Sequence, residues 1–161
     1  MGKLNESVNF IRELYATNAE IHLHEPQFSG NEKRYLNDVV DSTFVSSVGE
    51  YIGKFENLVC SYTKSSAAVA TVNGTSALHI SLLLAGVKKD DEVLVSPYTF
   101  VGTINAINYT GARPLFIDIE EDTLGLCPMS LENFLNTNTA KKNGICVNKI
   151  TGKKISAILP V

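Results

Sequence analysis

The feature that most constrains the fold is a regular succession of short apolar runs and helical patterns that starts at residue 67. Apolar runs at 67–72, 92–95 and 115–119 predict strands, and the segments 74–85 and 101–108 between them predict helices. The runs are mainly apolar and do not alternate between apolar and polar residues, which is typical of strands covered by helices on both faces. We therefore predict an α/β domain with a mostly parallel sheet flanked by helices.

The first 66 residues have a different pattern. Apolar residues recur at helical spacing in the stretches 5–18, 31–42 and 49–63, and Pro26 and Gly30 separate the first two. We predict an N-terminal segment of helices and loops over residues 1–66, followed by an α/β domain over residues 67–161.

The pattern is weaker after residue 119. We predict a loop over 120–128, a short helix N-capped by Ser130 and running through Leu135, and a polar stretch over 137–154. A buried-strand pattern over 155–161 then runs to the last residue, with no helix after it to cover the sheet. We expect an incomplete, truncated domain, whose exposed strand would favour self-association.

Composition argues against several classes of protein. A net charge of −3, with the lysines and arginines scattered, gives no basic surface for nucleic acid. The absence of a signal-peptide pattern or a long apolar segment predicts a cytoplasmic protein without a membrane partner. Three widely spaced cysteines (Cys60, Cys127, Cys146) and the pair His22 and His24 match no disulfide framework or metal-ligand spacing, so we predict no metal site.

Gly74, Thr75 and Ser76 lie where a predicted strand leads into a helix. Free backbone N–H groups, a glycine that admits close approach and two hydroxyls are suited to an anion such as phosphate. The same residues would also form an ordinary strand-to-helix turn with a good N-cap.

Tyr98 and Phe100 follow the next strand and should lie at the same edge of the sheet, where ligands of open α/β sheets bind. An aromatic ring there could stack on a flat heteroaromatic ligand, or could pack between helix and sheet.

Seven segments in order resemble the DegT/DnrJ/EryC1/StrS family of sugar aminotransferases, most closely its LegC-like branch. The resemblance covers residues 23–135 and is carried by FSGNE at 28–32, FVSSVG at 44–49, FE at 55–56, VNGTSALH at 72–79, DEVLV at 91–95, TFV at 99–101 and GARPLFID at 111–118.

The resemblance implies the N-terminal part of the large domain of a type I pyridoxal-phosphate (PLP) transferase that works as a homodimer. Gly74, Thr75 and Ser76 would hold the PLP phosphate, Phe100 would stack on the pyridine ring, and Ser46 and Ser47 would border the sugar. Members of the family move an amino group, usually from glutamate, to a nucleotide-linked keto sugar. In the LegC-like branch this is a UDP-linked 4-keto-6-deoxy-N-acetylhexosamine.

The resemblance also implies that the lysine that forms the Schiff base and the aspartate that pairs with the pyridine nitrogen come after residue 161, so we assign no catalytic residue here. The lysines at 141, 142, 149, 153 and 154 do not match the family's lysine motif, and we interpret them as solvated surface. Pro97 and Gly102 depart from the family pattern, and we expect neither to touch a cofactor contact.

Three functional hypotheses follow. In the first, the chain is the N-terminal fragment of such an aminotransferase and is inactive alone. In the second, it is a non-catalytic dimerisation or ligand-binding module built on the same half-fold. In the third, it is an unrelated nucleotide-binding domain. The apolar pattern at the last residues favours the fragment. The third is disfavoured because no Gly-x-Gly-x-x-Gly or Walker lysine follows a strand.

Overall fold

The computed structural model describes residues 2–22 and 24–160, so the predicted end of the last strand at residue 161 lies outside the described residues. The chain divides into two compact units, Met1–Phe55 and Glu56–Val161. The helices are α1 (Gly2–Leu14), α2 (Glu32–Ser42), α3 (Glu50–Thr63), α4 (Gly74–Leu84), α5 (Val101–Tyr109) and α6 (Pro128–Asn138). The strands are β1 (Glu92–Val95), β2 (Arg113–Phe116), β3 (Thr139–Lys142), β4 (Ile145–Asn148) and β5 (Ile155–Leu159).

The first unit contains α1, α2 and the start of α3. The Tyr51 hydroxyl donates a 2.7 Å hydrogen bond to Asp38 Oδ2, and the Tyr51 ring lies 5.1 Å from the ring of Tyr35, which joins α2 to α3. Helix α1 ends at Leu14, before the predicted end at Asn18, because the chain leaves the helical region at Ala16, where φ is 49°.

The second unit is built on a three-stranded parallel sheet of order β2-β1-β5. The central strand β1 is wholly buried. Val93 and Val95 belong to one core cluster with Leu82 of α4 and Ala106 of α5. The residue between them, Leu94, belongs to a second cluster, which is flanked by residues of α6. Helices therefore cover both faces of the sheet, and the α/β prediction is confirmed.

The strand predicted at 67–72 is wrong, because these residues form no strand in the structure. A strand needs a neighbour for its backbone hydrogen bonds, and in the described part of the chain the sheet ends at β2 and β5. The side chains of Val69 and Val72 are 82% and 89% exposed. Apolar composition alone therefore did not specify a strand here.

Two predicted boundaries also need correction. Strand β2 covers Arg113–Phe116 and not the predicted 115–119. It can begin before Leu115 because an edge strand tolerates Pro114, which pairs with Val93. Helix α6 is capped by Cys127 and not by Ser130: the Cys127 sulfur accepts the Ser130 N–H, and Pro128 takes the first helical position, where a missing N–H costs nothing.

The polar stretch predicted at 137–154 contains an antiparallel hairpin of β3 and β4. Its turn is Asn143-Gly144, with φ of 50° and 80°, the conformation that a tight hairpin requires. The hairpin is joined to the sheet by a buried hydrogen bond of 2.8 Å from Asn148 Nδ2 to Glu92 Oε2.

Among the described residues, no helix is long and apolar enough to cross a membrane.

Candidate functional site

The site is built around the N-terminus of α4, and Asn73 determines its local structure. Asn73 has extended backbone angles, and its side-chain oxygen accepts the Ser76 N–H at 2.8 Å. Its backbone oxygen accepts the Ala77 N–H at 3.1 Å. The sequence forms a helix here because Asn is among the best N-caps and is followed by an apolar helical pattern.

The cap leaves two backbone donors for a ligand. The first N–H groups of a helix have no intrahelical partners. The Asn73 side chain takes that of Ser76, and the Ala77 N–H already makes the first intrahelical bond, to the Asn73 carbonyl. The N–H groups of Gly74 and Thr75 remain. A Cβ placed on Gly74 would meet nothing within 4 Å, so the space beside these donors is open. The predicted anion site at this turn stays a prediction.

The second part of the site is the turn between β1 and α5. Ser96 is fully buried, and its hydroxyl accepts the Tyr98 N–H at 3.2 Å and donates to the Tyr98 carbonyl at 3.3 Å. The Thr99 hydroxyl donates to that of Thr103 at 2.8 Å. These bonds fix the backbone that carries Phe100, the N-cap residue of α5.

Phe100 lies at the surface, with 78% of its area exposed. Its ring is therefore not packed between helix and sheet, which was one of the two predicted interpretations. An exposed ring at the carboxyl end of a central strand is available to a flat ligand.

Gly102 brings the two parts of the site together. A Cβ on this buried glycine would stand 2.6 Å from the Thr75 hydroxyl oxygen and 3.0 Å and 3.2 Å from two carbons of the Phe100 ring. The expectation that Gly102 touches no proposed cofactor contact is therefore wrong. Sequence reasoning missed it because the contact joins helices that are distant in sequence.

The site is neutral, because Asn73, Gly74, Thr75, Ser76 and Phe100 carry no charge. An anion would be held by backbone N–H groups and by the positive end of the α4 dipole rather than by a salt bridge. Hydrogen bonds to Asp38 and Glu50 raise the pKa values of Tyr51 and Lys54, and Ser130 lowers the pKa of Cys127; these three residues lie outside the site. In residues 2–22 and 24–160 no cluster of His, Cys, Asp or Glu could hold a metal ion.

Ser46 and Ser47 lie in the first unit, in the turn before α3. The Ser46 hydroxyl accepts the Val48 N–H at 3.4 Å, and both serines are exposed. A Cβ on Gly49 would stand 2.9 Å from the Phe44 carbonyl oxygen, so this turn requires glycine. The predicted role of Ser46 and Ser47 at the sugar stays a prediction.

The five lysines predicted as solvated surface divide into two groups. Lys141, Lys142 and Lys149 are exposed. Lys153 and Lys154 are half-buried and pair with Asp90 and Asp91 at 3.3 Å and 3.5 Å, which corrects the prediction. These aspartates precede β1, so both pairs lie at the amino ends of the strands, at the opposite edge of the sheet from Phe100.

Comparisons with known proteins agree on one family. Residues 26–161 match the DegT/DnrJ/EryC1/StrS aminotransferase family. The chain is 39% identical over 128 residues to a GDP-perosamine synthase of Escherichia coli O157:H7, a match that covers 80% of this chain and 35% of that protein. The chain thus spans only part of the length of this curated relative.

Two solved structures also resemble this chain. An aminotransferase from Psychrobacter cryohalolentis aligns with a TM-score of 0.62 and 32% identity over 67% of this chain and 28% of that one. The Bacillus subtilis protein NtdA with bound cofactor PMP aligns with a TM-score of 0.64 and 25% identity over 89% of this chain and 31% of that one.

Proposed function

The chain belongs to the DegT/DnrJ/EryC1/StrS aminotransferase family, and on that premise we propose that the turn at residues 73–76 holds the phosphate of PLP in a nucleotide-sugar aminotransferase. The family and its neighbours with bound cofactor indicate PLP as the cofactor. The observation that carries the proposal is the N-terminus of α4, where the Asn73 side chain caps the Ser76 N–H, the N–H groups of Gly74 and Thr75 have no helical partner, and the space beside Gly74 is open.

Each residue of the turn has a distinct task. The N–H groups of Gly74 and Thr75 donate to phosphate oxygens, the Ser76 hydroxyl adds a further donor, and the absent side chain of Gly74 lets the phosphate approach the backbone. Asn73 holds the turn in shape and does not itself need to touch the ligand. When bound, PLP supplies an electron sink that allows an amino group to move between carbon atoms.

Phe100 lies against the face of the pyridine ring in this proposal. Its ring is exposed, while hydrogen bonds at Ser96 and Thr99 fix the backbone on either side. A backbone that is fixed before the ligand arrives loses little conformational entropy on binding.

The activity of the whole protein is amino transfer from glutamate to a nucleotide-linked 4-keto-6-deoxy sugar, with Ser46 and Ser47 beside the sugar. Resemblance to the LegC-like branch favours a UDP-linked N-acetylhexosamine. The similarity to a GDP-perosamine synthase favours a GDP-linked sugar as the second candidate. We propose that the protein acts as a homodimer.

We propose that no lysine among residues 141–154 serves the cofactor and that the 161 residues alone do not catalyse the transfer. Lys153 and Lys154 are engaged with aspartates at the far edge of the sheet, and the other three lie on the hairpin or directly after it. The 161 residues supply the contacts to the phosphate and to the pyridine ring, and no catalytic residue.

Gly74→Ala tests the phosphate site. The added Cβ meets no protein atom within 4 Å but enters the space proposed for phosphate, so we expect the Kd for pyridoxamine phosphate (PMP) to rise about tenfold, with the melting temperature unchanged or slightly higher. PMP is the probe because its amine, unlike the aldehyde of PLP, does not react with surface lysines. Isothermal titration calorimetry gives the Kd.

The matched control is Gly53→Ala in α3, where an added Cβ also meets nothing within 4 Å. We expect it to leave the Kd for PMP unchanged. Equal Kd values for the original chain and both variants, or no PMP binding by the original chain, would refute the proposed site.

A further inference from the structure

Gly102, the second residue of α5, leaves a gap that the Thr75 side chain occupies. The Thr75 hydroxyl oxygen lies 2.6 Å from where a Cβ at residue 102 would stand, closer than non-bonded atoms approach. The hydroxyl therefore points toward a buried residue of the neighbouring helix. The open space of the turn is instead beside Gly74, where a Cβ would have no neighbour within 4 Å.

We propose that Gly102 is a positioning residue that lowers phosphate affinity by giving the Thr75 hydroxyl an inward position. The inference rests on the proposed function, because it concerns the same phosphate site. In the inward position the hydroxyl faces the buried start of α5, and it must rotate about χ1 to reach a phosphate beside Gly74. Phosphate binding then carries the free-energy cost of fixing the Thr75 side chain in the rotamer that reaches the ligand.

An alanine at residue 102 would remove the inward position. The start of α5 cannot retreat easily, because Gly102 and Thr103 are buried and Ala106, one turn further on, belongs to the core cluster with residues of β1. The hydroxyl of Thr75 is the end of a rotatable side chain and so is the group that moves. Two carbons of the Phe100 ring lie 3.0 Å and 3.2 Å from the position of the added Cβ, so the ring needs to move by only a few tenths of an ångström.

Gly102 itself has no positive φ, so alanine fits its backbone and improves helix propensity. We expect Gly102→Ala to keep or raise the melting temperature and to lower the Kd for PMP about threefold, the scale of one side-chain rotamer. In a Thr75→Ala background the same substitution should change the Kd by less than about 1.5-fold, because no hydroxyl remains to be moved.

The test measures PMP affinity by calorimetry for the original chain, G102A, T75A and the double variant. An unchanged or weaker affinity in a folded G102A, or an equal gain in both backgrounds, would overturn the role of Gly102. Failure of the original chain to bind PMP would instead refute the proposed function, so the two outcomes are distinguishable.

A second measurement needs no variant. The three-bond couplings from the Thr75 methyl carbon to backbone nitrogen and carbonyl carbon report χ1 in solution. We expect one rotamer in the free chain and another with PMP bound. Identical couplings with and without PMP would show that the hydroxyl does not turn, and would overturn the inference.

Discussion

At the scale of single residues, Cys127 combines a structural and a chemical property. Its sulfur caps α6 by accepting the Ser130 N–H at 3.5 Å, and the neighbouring Ser130 side chain, followed by this backbone N–H, lowers the pKa of the thiol. Since the folded chain favours the thiolate, the alkylation rate of Cys127 by iodoacetamide should reach half its maximum at a lower pH than in the urea-unfolded chain. Peptide mass spectrometry against pH measures this midpoint.

Ser130→Ala supplies the control for that prediction. It removes the hydroxyl but keeps the backbone N–H, so the midpoint should rise toward that of the unfolded chain without reaching it. If the folded and unfolded chains were alkylated with the same pH midpoint, the hydrogen bonds would not be acting on the thiol.

The sequence was sufficient to place Gly74, Thr75 and Ser76 in the first turn of α4 and Phe100 at the N-cap of α5, because both helix starts are recognisable, although the strand predicted before Gly74 is absent. It was not sufficient for Gly102. The role of a glycine can be recognised only when the residues around it are known. Around Gly102 these residues are Thr75 and Phe100. Side-chain contacts between helices depend on packing, which spacing along one segment does not reveal.

At the scale of elements, the sequence predicted those with strong local signals. Helices α2, α3, α4 and α5 and the central strand β1 lie within a residue or so of the predicted ranges, because amphipathic periodicity and a buried apolar run are local patterns. The hairpin of β3 and β4 was missed although its Asn143-Gly144 turn is a strong signal, because β3 is polar and each strand has only four residues.

Residues 67–72 show the opposite error. Their composition is that of a strand, but pairing is a property of the partner as much as of the segment. In the structure the Ala70 N–H donates to Glu56 Oε1 at 2.9 Å instead of to a neighbouring strand. A side chain of α3 thus satisfies a backbone donor just before the phosphate turn.

At the scale of the molecule, many large apolar side chains are exposed, among them Leu14 of α1, Leu58 and Tyr62 of α3 and Leu84 of α4. Exposed apolar groups in this number favour association. We expect sedimentation equilibrium at micromolar concentrations to show a mass that rises with concentration toward that of a dimer or a larger species. A constant monomer mass over that range would contradict the proposed homodimer for this chain.

The central claim is that the 161 residues recognise the cofactor by its phosphate, through the N–H groups of Gly74 and Thr75. The most direct measurement compares the Kd for PMP with that for pyridoxamine, which has the same ring and amine but no phosphate. The account predicts that pyridoxamine binds at least about tenfold more weakly and that inorganic phosphate competes with PMP. Equal affinity for the two ligands, with no competition by phosphate, would contradict it.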